Sequence, residues 1–353
     1  MSPGDQTDVR RDYTDPPDRE AVTGAAGRVP GRRRRGRRGE RALVPDATFE
    51  SYYGKPILNG PTWSPLDIAG YLFLGGLAGG SSVLAAGAEL TGRRRLAMSA
   101  KLAALGAILT SLVALVHDLG RPGRFVNMLR VFKPSSPMSV GSWVLSAYGP
   151  NVGLAAACAV TGLFPRTGRV ATVGAGLLGP AVASYTAALI ADTAVPAWHD
   201  GHREMPFVFV GSAAAAAGGM GMVAAPLGEA GPARRAVMIG SAVELAASEI
   251  MARSMGFSAE ALHTGTAGRL DKVAKALTLT AALTAAAAGQ RSRGAAVLAG
   301  VAALAGSACT RFAIFYAGVA SAHDPKYTVV PQRERLNRQA HNQPVTAHGG
   351  ATG

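Results

Sequence analysis

The 353-residue chain has only two cysteines, Cys158 and Cys309. Two thiols exclude a disulfide framework. They are also too few for a cysteine-ligated iron–sulfur cluster or structural zinc site within the chain. Charge is scarce as well, at 16% of residues, where a soluble domain carries about 25%. Windows 68–88, 102–116, 134–165, 170–191, 205–228, 276–290 and 294–310 contain no Asp, Glu, Lys or Arg. Several match the ~20 residues that a membrane-spanning helix needs, which excludes an ordinary soluble domain. Their apolar runs are continuous rather than alternating, which argues against a β-barrel. Histidine is missing where membrane haem would need it: only His117 lies at a helix end and none lies deeper, so bis-histidine haem is not expected. No serine- or metal-hydrolase signature occurs, and no metal-ligand set.

What is present is apolar, small and helical. Allowing terminal Lys and Arg to snorkel, spans are predicted near 66–89, 97–117, 140–163, 170–191, 206–227, 234–253, 272–289 and 294–318. The predicted fold class is therefore an all-α integral membrane protein with eight transmembrane helices. Small residues suit it, because they let helices approach closely. In GGLAGG, Gly75/Gly79 and Gly76/Gly80 make two overlapping small-xxx-small pairs. The mid-membrane Cys158 and Cys309 read as packing residues.

Residues 1–62 read as a disordered basic tail. The stretch 28–41, RVPGRRRRGRRGER, holds eight Arg and one Glu. Such charge suits nucleic acid or anionic lipid, and its place beside a first span favours membrane lipid over nucleic acid. No apolar h-region follows these arginines before the first span, so a signal peptide is not expected. Residues 321–353 read as a polar C-terminal tail.

An even number of spans puts both termini on one side, the near face. All seven His, all three Trp and every Asp beyond residue 60 belong to that face or to a helix end there. Proton-handling chemistry, partner docking or both are expected on it. Lys and Arg close to the spans number thirteen on the near face and ten on the far face. The excess predicts cytoplasmic termini in a multi-pass cell-membrane protein.

Three segments carry candidate chemistry. The first helix opens WSPLDIAGY, with Pro65 in its first turn. Asp67 and Tyr71 are four apart and share a face. Asp67 reads either as a functional carboxylate inside the bilayer or as a residue stabilising the helix N-terminus. Residues 117–143, HDLGRPGRFVNMLRVFKPSSPMSVGSW, form a long, basic, aromatic link. His117 and Asp118 sit at a helix end there, and Arg121, Arg124 and Phe125 are available to a partner or to the interface. The fourth helix carries Tyr185 in SYTAALIADTAVPAW, about two turns from its near end and ~10 Å deep. If the first and fourth helices are neighbours, Tyr71, Tyr185 and Asp67 converge. Glu89, Glu244 and Glu249 read as protonatable steps across the membrane or as buried ion-pair partners, with Arg311 available to pair with one of them.

The order GYLFLGGLAGG, HDLGRPGRF…SPMSVGSW and SYTAALIADTAVPAW resembles the NrfD/PsrC family, the membrane anchors of polysulfide-reductase-like molybdoenzyme complexes. The resemblance implies a haem-free, quinone-reactive, eight-helix anchor, here expected as two four-helix bundles over 63–191 and 192–320. It implies a docked ferredoxin-like iron–sulfur subunit and, through it, a molybdopterin catalytic subunit. It also implies a quinone (menaquinone or ubiquinone) among the first four helices. In polysulfide-reductase-like members an Asn and a His four apart, and a Tyr in the fourth helix, touch the quinone. Asp67 and Tyr71 take that spacing here and Tyr185 fits the Tyr, while Asp118 and Arg121 match the D-L-G-R-P element. The expected roles are cofactor contact for Tyr71, Tyr185 and Asp67, and proton relay for Asp67, His117 and Asp118. Partner docking is expected at Arg121, Arg124 and Phe125, and a proton path at Glu89, Glu244 and Glu249. A second reading is a proton-coupled transporter or channel without a redox partner, motivated by the embedded glutamates.

Overall fold

A computed structural model describes residues 58, 60–118, 127, 129–130 and 132–342, excluding the side chains of 339–342. Most of the basic N-terminal segment, including 28–41, lies outside the described residues, and so do Arg121, Arg124 and Phe125. The described part is helical. Its elements are α1 (Pro65–Leu90), α2 (Arg94–Asp118), α3 (Pro137–Thr161), α4 (Pro165–Ala191), α5 (Pro196–Asp200), α6 (Met205–Ala224), α7 (Gly231–Ser254), α8 (Glu260–His263), α9 (Gly265–Ala287), α10 (Arg293–His323) and α11 (Lys326–Asn342).

Among the described residues, six helices are long and apolar enough to cross a membrane: α1, α2, α3, α4, α6 and α10. Helices α7 and α9 are of similar length, at 24 and 23 residues, but carry charge well inside their ends, at Glu244 and Glu249 and at Asp271, Lys272 and Lys275. Proline in the first turn starts α1, α3, α4, α6 and α7. There its missing N–H costs nothing, because that amide has no helical partner anyway. This is why α3 and α4 begin at Pro137 and Pro165, ahead of the apolar onset at 140 and 170. Gly92 and Gly162, with φ of 73° and 72°, end α1 and α3 in the left-handed conformation. The polar stretch after 320 is not simply a tail: α10 runs to His323 and α11 follows it.

Helix α1 packs on α2 and α4, α4 on α3, α6 on α7, α10 and α1, and α10 on α9. Small residues set these approaches. A Cβ added at Gly79 would run into the Gly179 carbonyl oxygen of α4, and one at Gly80 would lie 2.6 Å from the Ala213 carbonyl oxygen of α6. The backbones themselves are in contact, which larger residues would prevent. Helix α6 is enclosed on nearly all sides, and its sequence GSAAAAAGGMG is accordingly small. Large apolar side chains point outward instead, among them Val113, Leu177, Phe207, Ile239 and Leu283, each more than half exposed. An apolar exterior over a small-residue interior is the arrangement that lipid permits and water does not.

At one end, Trp63 just before α1 stacks on Trp198 of α5, with ring centroids 5.8 Å apart. The buried Trp198 indole N–H donates to the Ile314 carbonyl at 2.8 Å, and Gly60 abuts His323. The start of α1 and the end of α10 therefore share an end of the molecule, which is the near face.

Replacing Gly79 with Val is expected to destabilise the protein by about 1–3 kcal/mol through overpacking against α4. Gly87→Ala, where a Cβ meets nothing within 4 Å, is expected to be neutral or slightly stabilising, because Ala is the better helix former. Denaturant unfolding in mixed micelles, followed by circular dichroism, separates the two.

Candidate functional site

The first four helices enclose a cavity of about 320 Å³ at their near end. Its walls are largely aliphatic: Ile68 and Leu72 of α1, Leu115 of α2, Leu145 of α3, and Leu189 and Ile190 of α4. Polar groups enter at chosen points: the phenols of Tyr71 and Tyr185, the Asp118 carboxylate, and Trp63 at the mouth. An apolar pocket with a few convergent polar groups is the usual form of a small-molecule site, and ~300 Å³ is the lower end of the usual size.

The two phenol hydroxyls hydrogen-bond each other, which the packing of α1 on α4 makes possible. The α1–α4 backbone contact explains the meeting. Tyr71 lies eight residues before Gly79, and Tyr185 six residues after Gly179 on the antiparallel partner. These offsets are about 12 and 9 Å along the two axes, so both hydroxyls reach the same level. Tyr71 is buried while Tyr185 is partly accessible to the cavity.

The Tyr185 ring has its place because residue 141 is glycine. A Cβ at Gly141 of α3 would overlap the ring edge, lying 2.7 Å from Cδ2. Sequence reasoning noticed the SPMSVGSW block without assigning this role. Its signal was a glycine one turn into a helix, set among the bulkier Met138, Val140 and Trp143. The neighbouring Ser142 hydroxyl donates to the Met138 carbonyl at 2.9 Å, which satisfies it within its own helix.

Asp67 does not line the cavity. Its Oδ2 is 3.0 Å from His117 Nδ1 on α2, and its backbone N–H is capped by the Ser64 hydroxyl at 3.4 Å. It therefore pairs and sits at a helix start at once. The His117 side chain is 76% exposed, so the pair connects near-face solvent to the helix end. Asp118, the next residue, faces the cavity and accepts the Ser64 backbone N–H at 3.4 Å. Ser64 thus links the Asp118 carboxylate to the Asp67 backbone amide, and His117, Asp67 and Asp118 form one acidic and imidazole-bearing rim.

The three glutamates have three separate sets of partners. Glu89, at the far end of α1, is 2.5 Å from Lys101 Nζ of α2. Glu249 is exposed and pairs with Arg253 one turn on, at 2.9 Å. Glu244 is buried within the packed helices, where the Thr310 hydroxyl donates to its Oε1 at 2.6 Å. Arg311 follows Thr310 and is fully buried. It donates to the Phe209 carbonyl at 2.9 Å and stacks over the Phe209 ring at 3.7 Å. No direct Glu244–Arg311 ion pair forms, although the guanidinium is the cation whose field reaches Glu244. The sequence placed Arg311 near a glutamate. Its contacts with Phe209 were not legible, because nothing in the sequence says which face of α6 it meets.

Arg311→Met removes a buried cation and its hydrogen bond to the Phe209 carbonyl, and is expected to cost about 1–3 kcal/mol. The double variant Glu244→Gln/Arg311→Met is expected to recover part of that loss. Equilibrium unfolding of the four members of the cycle measures the coupling.

The family model described as "Polysulphide reductase, NrfD" matches residues 58–322 of the chain. No curated protein matches it. The matched region runs from the segment before Trp63 to the end of α10, and so holds the cavity, its rim and all the long apolar helices. The chain therefore belongs to the NrfD polysulphide reductase family and is an integral membrane protein.

Proposed function

We propose that the protein is the quinone-reactive membrane subunit of a multi-subunit oxidoreductase, exchanging electrons between a docked iron–sulfur subunit and the membrane quinone pool. The observation that carries this reading is the cavity itself, with two hydrogen-bonded phenols in an aliphatic pocket that opens beside an acidic rim. The residues fit a quinone head group. The aliphatic walls suit a flat ring, and each phenol has an O–H to offer a carbonyl oxygen. A quinone, when bound, supplies two-electron chemistry that takes up or releases two protons.

The chain's own residues would do the rest. Tyr185, partly open to the cavity, would turn its hydroxyl from Tyr71 to the ligand, and Tyr71 would hold Tyr185 in orientation. Asp118 would pass protons at the cavity mouth, with the His117–Asp67 pair exchanging them with near-face water. Gly141 would keep the Tyr185 ring at its depth. The partner is proposed as a ferredoxin-like iron–sulfur protein on the near face, linked to a molybdopterin catalytic subunit.

We read α7 and α9 as spans too, which makes eight helices in two four-helix halves. Ile239, Val243 and Ile250 on α7, and Leu279 and Leu283 on α9, present outward apolar faces that suit lipid. Placement in the cell membrane with cytoplasmic termini belongs to the same proposal. A transporter is the second reading, favoured by one observation: Glu244 has a buried oxygen, Oε2, with no hydrogen-bond partner among the described residues. Affinity purification separates the readings, because a transporter comes out alone, with transport and no quinone chemistry.

In the purified complex, Tyr185→Phe is expected to weaken quinone or inhibitor binding about tenfold, the equivalent of one ligand hydrogen bond. Asp67→Asn is expected to slow turnover with less effect on binding. Unchanged turnover and inhibitor titration in both variants would remove the site. Gly141→Ala is expected to displace the Tyr185 ring and weaken inhibitor binding, whereas Gly149→Ala, on the same helix with open space around it, leaves binding at the wild-type level.

A further inference from the structure

The far end carries a second concavity, unrelated to the quinone reading. It is a groove of about 950 Å³ between the first turns of α2, the α6–α7 turn and the start of α10. Its floor and walls are apolar, with Met98 and Leu102 on one side and Pro226 and Leu227 on the other, and its rim holds Arg94, Arg95 and Arg293.

The three arginines are not equivalent. Arg293 is already engaged: its Nη1 donates to the Met222 and Ala225 carbonyls at 2.9 and 2.6 Å, closing the end of α6. The α2 N-terminus is also satisfied from within, because Glu229 Oε2 accepts the backbone N–H groups of Arg95 and Leu96 at 2.8 and 3.1 Å. That leaves the guanidinium groups of Arg94 and Arg95. Both residues are exposed, and neither side chain has a carboxylate or carbonyl partner among the described residues. Two uncommitted cations therefore stand over an apolar wall that continues inward. Leu102 lies seven residues beyond Arg95, about 10 Å deeper along α2, and its side chain is 45% exposed toward the outside of the protein.

We propose that this groove binds an anionic diacyl phospholipid, with its phosphate on Arg94 and Arg95 and its acyl chains along Met98, Leu102 and Leu227. Charge complementarity selects the headgroup. The depth of the apolar wall selects a lipid over a free anion, which would use the rim and leave the wall unfilled. A lipid seated here would touch α2 and the α6–α7 turn together, and so bridge the helices that carry the cavity to those that carry Glu244.

The test is native mass spectrometry of the full chain, released from detergent after incubation with phosphatidylglycerol or phosphatidylcholine. Two cations near the surface are worth about thirtyfold in retention of the anionic lipid over the zwitterionic one. The wild type is expected to show that preference, and Arg94→Gln/Arg95→Gln to lose it. Arg94→Lys/Arg95→Lys is expected to keep most of it. Leu102→Trp, which fills the wall without touching the charge, is expected to lower retention of both lipids. Equal retention of the two lipids by wild type, an unaltered preference in the double Gln variant, or full displacement by millimolar inorganic phosphate would each overturn the proposal, the last by revealing an anion site without an acyl groove.

Discussion

Backbone contact between helices is the constraint on which the rest of this structure depends. The membrane offers almost no hydrophobic drive for helix association, because lipid is as apolar as leucine. Helices adhere where their main chains come close enough for dispersion forces to add up. Gly79 against Gly179 holds α1 on α4, and Gly80 against Ala213 holds α1 on α6. These contacts lie on neighbouring residues of one helix, so α1 holds α4 and α6 at the same level. The Tyr71–Tyr185 hydrogen bond follows from the first contact, and the placing of Arg311 follows from the second. Gly76 of α1, one turn from Gly80, is the residue whose missing side chain leaves room for the guanidinium, with a Cβ there 3.3 Å from its Nη2.

The interior is therefore small in its side chains and selectively polar. Ser212 donates to Ser307 at 2.8 Å between α6 and α10, and Ser82 and Tyr148 share a hydrogen bond at 2.7 Å between α1 and α3. Each such pair satisfies groups that lipid cannot hydrate. Glu244 and Arg311 are two of the exceptions among the described residues, Ser81, Glu204 and Ser241 being others. Glu244 and Arg311 each have one good partner, in Thr310 and in the Phe209 carbonyl, and each retains buried atoms with none among the described residues. Polar atoms left in that state are costly and are found where a water or a reaction needs them.

The two ends of the molecule differ in kind. The near end gathers Trp63, Trp198 and Phe315 in a stack that ties the segment before α1 to α5 and α10, and it holds the carboxylates and His117 around an opening. The far end uses its charges to close helices: Arg293 over the end of α6, Glu229 over the start of α2, and Lys101 against Glu89. A carboxylate beside a cavity can exchange protons. The same residue types thus meet different neighbours at the two ends: a cavity and an imidazole at one, helix ends and an ammonium group at the other.

Some of this was legible in the residues alone. Charge-free windows located the long helices to within a few residues, because burying charge in lipid is prohibitive wherever the chain crosses. Helix starts were displaced where proline opened a turn ahead of the apolar run, in α3 and α4, and also where charged residues lead a helix, in α2 from Arg94 and in α9 from Gly265, seven residues before the expected start. The i, i+4 spacing of Asp67 and Tyr71 predicts that they share one side of α1. Spacing within one helix says nothing, however, of which neighbour that side meets. Packing sent Tyr71 to Tyr185 and Asp67 to His117, and so made one a cavity residue and the other a rim residue. It also made Glu244 buried and Glu249 exposed, although both sit in the same apolar stretch. Gly141 acquired a role only when Tyr185 arrived beside it from another helix. Composition decided that the chain lives in a membrane, since solvation acts on each segment separately. Contacts between segments decided where its near-end cavity lies, since a pocket built from four helices has no existence in any one of them.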